Sequence, residues 1–249
     1  MTIDWIEPNW PAPRQVRALT TTRRGGVSRG SYSGLNLATH VGDDPAAVAH
    51  NRQLLRTALA LHVEPCWLEQ AHGIHAVDAC IESITSCPAD ASYAHSPGAI
   101  CAVLTADCLP VLFCDHAGTC VAAAHAGWRG LLAGVLERTV TMLGVAPGEL
   151  MAWLGPAIGP QTFEVGEEVK TAFFDADAGA ALAFQPSPRG RWFADLYQLA
   201  RRRLTLLGVG AVHGGDLCTF SDSQRFYSYR REATCGRMAS LIWLVANPS

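Results

Sequence analysis

Hydrophobic and polar positions change period several times along this 249-residue chain. Residues 1–16 are punctuated by prolines, which fix φ and remove a backbone donor, so they read as an extended lead-in. A short β-prone run starting at Ala18 then runs into a segment dense in Gly and Ser that carries Arg23 and Arg24. Asp44 followed by Pro45 and an amphipathic pattern over residues 46–61 predicts a capped helix. Residues 66–70 predict a short strand that ends at His72, and residues 83–98 predict a loop rich in Ser, Pro and Ala.

The central stretch predicts strand, turn, strand and the start of a helix. Residues 100–106 and 119–124 are short, mostly apolar runs, the pattern of strands buried on both faces. Cys108 follows the first run and His125 the second. From Arg129 onward Leu131, Leu132, Val135, Leu136, Val140 and Leu143 recur at helical spacing, and Gly144 stands where a helix is capped. Further on, the pattern predicts a strand over 150–154, a helix over 166–174, an Ala-, Gly- and Pro-rich excursion over 175–188, and a helix over 195–207 closed by Gly208. The chain ends with residues 211–220 and strands over 225–229 and 239–245. Strands and helices mix without regular βαβ alternation, which favours an α+β fold. No linker divides the chain, so residues 1–249 are expected to form a single domain behind the 1–16 lead-in.

Composition narrows the function. With 49% apolar and 16% charged residues the chain can bury a large core. A net charge of −3 and the absence of a basic, aromatic-interleaved run argue against nucleic acid; Arg201–Arg203 reads as a solvated helix face. No basic-then-apolar leader opens the chain, and no apolar run reaches the ~18 residues of a membrane span. A soluble, cytoplasmic protein is therefore expected. Neither GxGxxG nor a P-loop is present. The nine cysteines form no CxxC pair, which excludes a zinc finger, and Cys66, Cys80, Cys101 and Cys120 read as small buried hydrophobes.

His72, Cys108 and His125 stand at the ends of three apolar runs. Two imidazoles and a thiolate suit a catalytic zinc, which typically keeps a fourth position for water and lowers the pKa of that water to about 7. The same atoms also suit a Cys108 nucleophile with His125 as base. Spacing does not decide between them.

The segments TTRRGGVS, LNLATHVGDD, QAHG, TADCLPVLF, AHAGWRG, GPAIGPQTFEVGEEV, GGDLCTF and SYRREATCGRM occur in that order. Together they resemble the bacterial laccase-domain family, also called the multicopper polyphenol oxidase, peptidoglycan editing factor or purine nucleoside phosphorylase family. The resemblance runs from about Thr20 to Trp243. It implies one domain layered α/β/β/α with mixed sheets, similar to the catalytic domain of cytotoxic necrotizing factors. It also implies metal ligation by His72, Cys108 and His125. The activities implied are phosphorolysis of adenosine, inosine, guanosine and methylthioadenosine, and deamination of adenosine. Copper-dependent phenol oxidation and editing of cell-wall precursors are implied by the other names. The chain departs from the family at Ala71, where Val is usual, at Cys235, where Thr is common, and at 91–95 after Asp90.

Within that reading, Asp107 and Glu164 are the carboxylates considered for proton transfer. Arg129, near a helix start, and Arg23 are expected to hold phosphate as charge develops at C1′, with Asn36 and Glu164 at the substrate. The bland alternatives are a structural salt bridge for Arg129 and a surface loop for Arg23. Zinc is the expected cofactor, with copper the alternative, and the partners are a purine nucleoside and phosphate. The chain is expected to be a monomer or small homo-oligomer. The runner-up is a hydrolase of cell-wall precursors using Cys108 and His125, and phenol oxidation comes third, since no HxH pair serves a copper cluster. A non-enzymatic protein with a structural zinc would need a fourth ligand, for which His75 is the candidate.

Overall fold

Two stacked sheets organise residues 2–80 and 88–246, the residues described by the computed structural model. In chain order the first half contains β1 (Trp5–Ile6), β2 (Val16–Thr21), α1 (Pro45–Ala58), β3 (Ala76–Asp78), β4 (Ala91–Ala94), β5 (Ile100–Thr105), β6 (Leu109–Asp115) and β7 (Val121–Ala126). Two short helices follow, α2 (Trp128–Ala133) and α3 (Val135–Leu143). The remainder is β8 (Leu150–Leu154), β9 (Glu164–Val165), α4 (Glu167–Ala176), β10 (Phe184–Pro186), β11 (Trp192–Ala194), α5 (Leu196–Leu207), β12 (Ala211–Gly214) and β13 (Met238–Leu244).

One sheet runs β1-β2-β13-β5 and is antiparallel throughout. A second runs β12-β8-β6-β7-β4-β3 and is mixed, with parallel pairs at its two edges, and β10-β11-β9 form a small antiparallel third. Side chains alternate across each strand, and the alternation defines the layers. Cys101 and Val103 of β5 face the second sheet and meet Leu112, Cys114, Val121, Ala123 and Met151. Ile100, Ala102 and Leu104 face the other way, toward Leu55 of α1. On the far side of the six-stranded sheet, Val111, Phe113, Ala122 and Ala152 lie under Leu136 and Val140 of α3 and Leu199 and Leu204 of α5. The order is helix, sheet, sheet, helices, as expected of an α+β chain with this layering. Strands covered on both faces are apolar at nearly every position, which is why β5 to β8 lack polar alternation.

Helix boundaries follow local chemistry. The Asp44 side chain accepts from Ala46 N at 3.0 Å with Pro45 in the first turn, and Asp195 caps α5 from Gln198 N at 3.0 Å. Gly208 ends α5 at φ 81°, a left-handed conformation that costs glycine little.

Several expectations are corrected. The stretch 107–118, expected to be a turn, contains β6; its apolar residues form a strand that the two flanking runs mask. The helix expected from Arg129 to Gly144 is two helices, broken where Gly134 adopts φ 105°. Residues 66–70 are not a strand: only Cys66 makes a bridge, to Cys101. Residues 225–229 are irregular, because Phe226 and Tyr227 are buried by plugging a loop, not by sheet pairing. Of 211–220 only β12 is strand. The lead-in contributes β1, and the excursion 175–188 holds a 3-10 turn and β10. Of the expected loop 83–98, residues 83–87 lie outside the described residues and 91–94 form β4. Among the described residues no helix is long and apolar enough to cross a membrane, and the described cysteines are free thiols.

Candidate metal centre

Three turns converge at one end of the six-stranded sheet. β6 and β7 pair with Leu109 opposite Ala126 and Pro110 opposite His125, so Cys108, just before β6, emerges beside Gly127, just after β7. Asp107 lies in the turn before it with φ 93°, a region costly for a residue with a Cβ. Its buried carboxylate accepts from Thr219 Oγ1 at 2.6 Å, Ser228 Oγ at 3.0 Å and the Arg230 amide at 2.7 Å. These bonds hold the strained turn and thereby fix where Cys108 points.

His72 also has a left-handed backbone, φ 60°. Its amide and those of Ala71 and Gly73 all donate to the Asp90 carboxylate, at 2.9, 3.2 and 2.6 Å. Asp90 Oδ1 also lies 2.8 Å from His125 Nδ1, and the Asp90 carbonyl accepts from the His125 amide at 2.7 Å. One carboxylate thus places both histidines. Because Nδ1 of His125 is engaged, its Nε2 faces the other two side chains.

The donor atoms of His72, Cys108 and His125 all lie within 4.8 Å of one another. Cys108 Sγ is 3.7 Å from His72 Nε2, and the two imidazoles meet edge to face with centroids 4.7 Å apart. His125 is buried, Cys108 half-buried and His72 exposed, so the cluster opens to solvent on one side. Burial alone would raise the Cys108 thiol, but the His125 and His72 imidazoles outweigh it and bring it down to about 6. Burial would lower His125; the Cys108 thiolate and the Asp90 carboxylate reverse this and lift it to about 9. Burial likewise pushes Asp90 up, and the His125 ring with the Gly73 and His72 amides brings it below the usual carboxylate range.

This donor set fits a divalent metal. A thiolate available at neutral pH, two imidazole nitrogens and an open side match three-ligand catalytic zinc sites, and a carboxylate on the far nitrogen of a ligating histidine raises its basicity and fixes its tautomer. The backbone leaves room for the cluster. A Cβ on Gly127 would sit 2.9 Å from His72 Cδ2 and 3.0 Å from Cys108 Sγ, and one on Gly130 would sit 2.9 Å from the Gly73 carbonyl. Both glycines of this turn therefore serve close approach.

The other expected residues take varied positions. Arg129 is exposed, stacks 4.4 Å above the Trp128 ring and makes no ion pair among the described residues. The helix it starts is only six residues long, so its dipole adds less than the single long helix foreseen. Arg23 stacks 4.6 Å above Tyr227 and donates to the Ser223 and Ser33 carbonyls. Asn36 is fully buried, and its amide is spent on Ala38, Asp43 and the Arg237 amide; it organises a loop. Glu164 accepts from Ser187 Oγ and pairs with Arg189 at 3.6 Å. His75 directs Nδ1 to the Pro88 carbonyl at 3.0 Å and is not part of the cluster. Asp90 and Gly127 were not foreseen as site residues; the only sequence signal for either is the position of Gly127 directly after the His125-Ala126 pair.

The helix–sheet–sheet–helix sandwich thus carries an open thiolate–imidazole cluster that could hold a metal ion. The family described as multi-copper polyphenol oxidoreductase laccase matches residues 17–245, and the chain belongs to it. The purine nucleoside phosphorylase of Pseudomonas aeruginosa is 58% identical over 241 residues, covering 96% of this chain and 98% of that protein. Escherichia coli YfiH, also named a purine nucleoside phosphorylase, is 54% identical over 240 residues, with 96% and 98% covered. A crystal structure of a Neisseria meningitidis protein superposes with TM-score 0.93 at 51% identity, covering 97% of this chain and 99% of that one. YlmD from Geobacillus stearothermophilus gives TM-score 0.88 at 30% identity over 97% and 96%.

Proposed function

We propose that this chain is a cytoplasmic, zinc-dependent purine nucleoside phosphorylase acting on adenosine, inosine, guanosine and methylthioadenosine, with adenosine deamination as a second activity. The observation that carries this is the open His72–Cys108–His125 cluster, in a chain whose relatives bear the phosphorylase name. Bound there, zinc would supply a Lewis acid and a means of acidifying water. Copper on the same ligands is the alternative the family name raises, but four-copper oxidation calls for further histidine clusters, and among the described residues this is the one grouping of its kind.

The chain's own residues divide the remaining work. In phosphorolysis a phosphate oxygen bonds to C1′ while the bond from C1′ to the purine nitrogen breaks and the base leaves with the electron pair. Arg129 supplies an exposed guanidinium, held by Trp128 and not committed to a carboxylate, which suits the bidentate capture of phosphate. Arg23 is the second cation considered, and Glu164 the carboxylate considered for proton transfer. Asp90 and Asp107 act as positioning residues, one through His125 and the His72 turn, the other through the turn before Cys108.

A second reading is favoured by one observation. Cys108, His125 and Asp90 form a thiol–imidazole–carboxylate series with the thiol at about 6, the arrangement of a cysteine nucleophile. This is the cell-wall precursor hydrolase. Product analysis separates the two. Inosine incubated with enzyme and phosphate yields hypoxanthine and ribose 1-phosphate, adenosine yields some inosine, and chelation of the metal stops both. Hydrolysis of muropeptides by metal-stripped protein, with no nucleoside turnover in either state, would establish the second reading instead.

A further inference from the structure

A wide groove lies away from the metal centre. Arg17, Trp243 and Ile100 pair directly across β2, β13 and β5. They share the face of Leu19, Leu241 and Ala102, the face covered by α1. At residues 58–63 α1 ends and turns away, leaving this end of the face uncovered. Trp5, on the neighbouring strand β1, packs on this same face, and Trp10 of the proline-punctuated N-terminal segment borders the groove from the edge, packed against the core between the sheets. The groove has a volume of about 840 Å³, within the range of ~300–1,000 Å³ typical of ligand sites.

Its chemistry is one-sided. Three tryptophans line it, together with Arg14 and Arg17. Neither arginine's side chain makes a hydrogen bond or ion pair among the described residues, whereas Arg202, Arg203 and Arg225 rest on Asp177, Glu137 and Asp222. The carboxylate at the groove, Glu7, accepts from Trp5 Nε1 at 3.3 Å. Rigid indole faces bind flat rings, and a free guanidinium recognises carboxylate, sulfonate or phosphate through paired N–H bonds.

We propose that this groove is a second binding site, for a flat aromatic anion of metabolite size whose ring lies against the indoles and whose charged group meets Arg14 and Arg17. The site is separate from the metal centre. Ile100 and Thr105 mark the two ends of β5, roughly 17 Å apart at ~3.3 Å per residue, and Cys108 lies beyond Thr105. The inference is independent of the catalytic reading.

Titration calorimetry of the full chain with naphthalene-1-sulfonate tests it, with 1-naphthalenemethanol as the neutral counterpart. The expected result is one site per chain, weakened about tenfold or more by the Arg14→Gln/Arg17→Gln pair, as loss of charge-assisted bonds requires. Trp10→Ala and the neutral compound are expected to bind more weakly, and Cys108→Ser to bind as the parent does. The arginine positions are exposed, so circular dichroism of that double variant is expected to match the parent. Absence of binding, unchanged affinity in the folded double variant, or loss of binding in Cys108→Ser would each overturn the proposal.

Discussion

Asp90 and His125, 35 residues apart in sequence, meet through a 2.8 Å contact between Oδ1 and Nδ1 deep in the protein. The same carboxylate collects the amides of Ala71, His72 and Gly73. One buried anion thus sets the tautomer of His125 and the backbone of His72. Asp90→Asn is expected to lower zinc affinity ~10–100-fold, the usual effect of removing such a partner. Competition with a chelating dye reads this directly. Unchanged affinity would mean that Asp90 serves only the fold.

Gly127→Ala tests the close approach at the cluster. The added methyl would lie 2.9 Å from His72 Cδ2 and 3.0 Å from Cys108 Sγ. Metal content is expected to fall sharply while circular dichroism stays that of the parent. Gly130→Ala meets a backbone carbonyl, that of Gly73, at 2.9 Å; it is expected to cost about 1–3 kcal/mol in denaturant unfolding.

Arg129→Gln separates the phosphate role from a structural one. No ion pair involving Arg129 exists among the described residues, and the side chain is exposed, so the melting temperature is expected to stay the same. The KM for phosphate is expected to rise about tenfold or more, with the KM for inosine little changed. A lowered melting temperature with an unchanged phosphate KM would contradict the assignment.

At the opposite end of the β6–β7 hairpin, Asp115 accepts from Thr119 N at 2.7 Å, Thr119 Oγ1 at 2.6 Å and Cys120 N at 3.1 Å. Burial would raise its carboxyl, but these donors hold it below the usual range. Its contribution to stability is therefore full above the unfolded value of about 4 and is lost as pH falls through the lower folded value. Asp115→Asn is expected to cost about 1–3 kcal/mol at neutral pH. The difference between parent and variant in urea unfolding of metal-free protein is expected to shrink below about pH 4; a constant difference would contradict the titration.

The grouping of the candidate site was legible in the chain because Cys108, His72 and His125 each follow an apolar run, and the resemblance carried by eight ordered segments pointed to the same three residues. The α+β layering was legible for the same reason. What was not legible depends on tertiary contact. Strand β6 hid within a continuous apolar stretch, since a strand buried on both faces gives no alternation. Asp90 carries no local motif, and its role exists only once the residues around 71–73 and 125 are folded against it. Asn36 and Asp107 have the residue types of active-site groups, yet their polar atoms are taken up by Asp43, the Arg237 amide, Thr219, Ser228 and the Arg230 amide. Sequence fixes residue type but not which donors will surround it.

If His72, Cys108 and His125 hold the metal of a phosphorylase, nucleoside turnover depends on one zinc per chain. The most direct measurement strips the purified protein of metal and titrates zinc back while following phosphate-dependent release of hypoxanthine from inosine. Activity is expected to return linearly and saturate at one zinc per chain, with no recovery in a folded Cys108→Ala variant. Turnover that survives stripping, or zinc that rebinds stoichiometrically without restoring any turnover, would contradict that dependence.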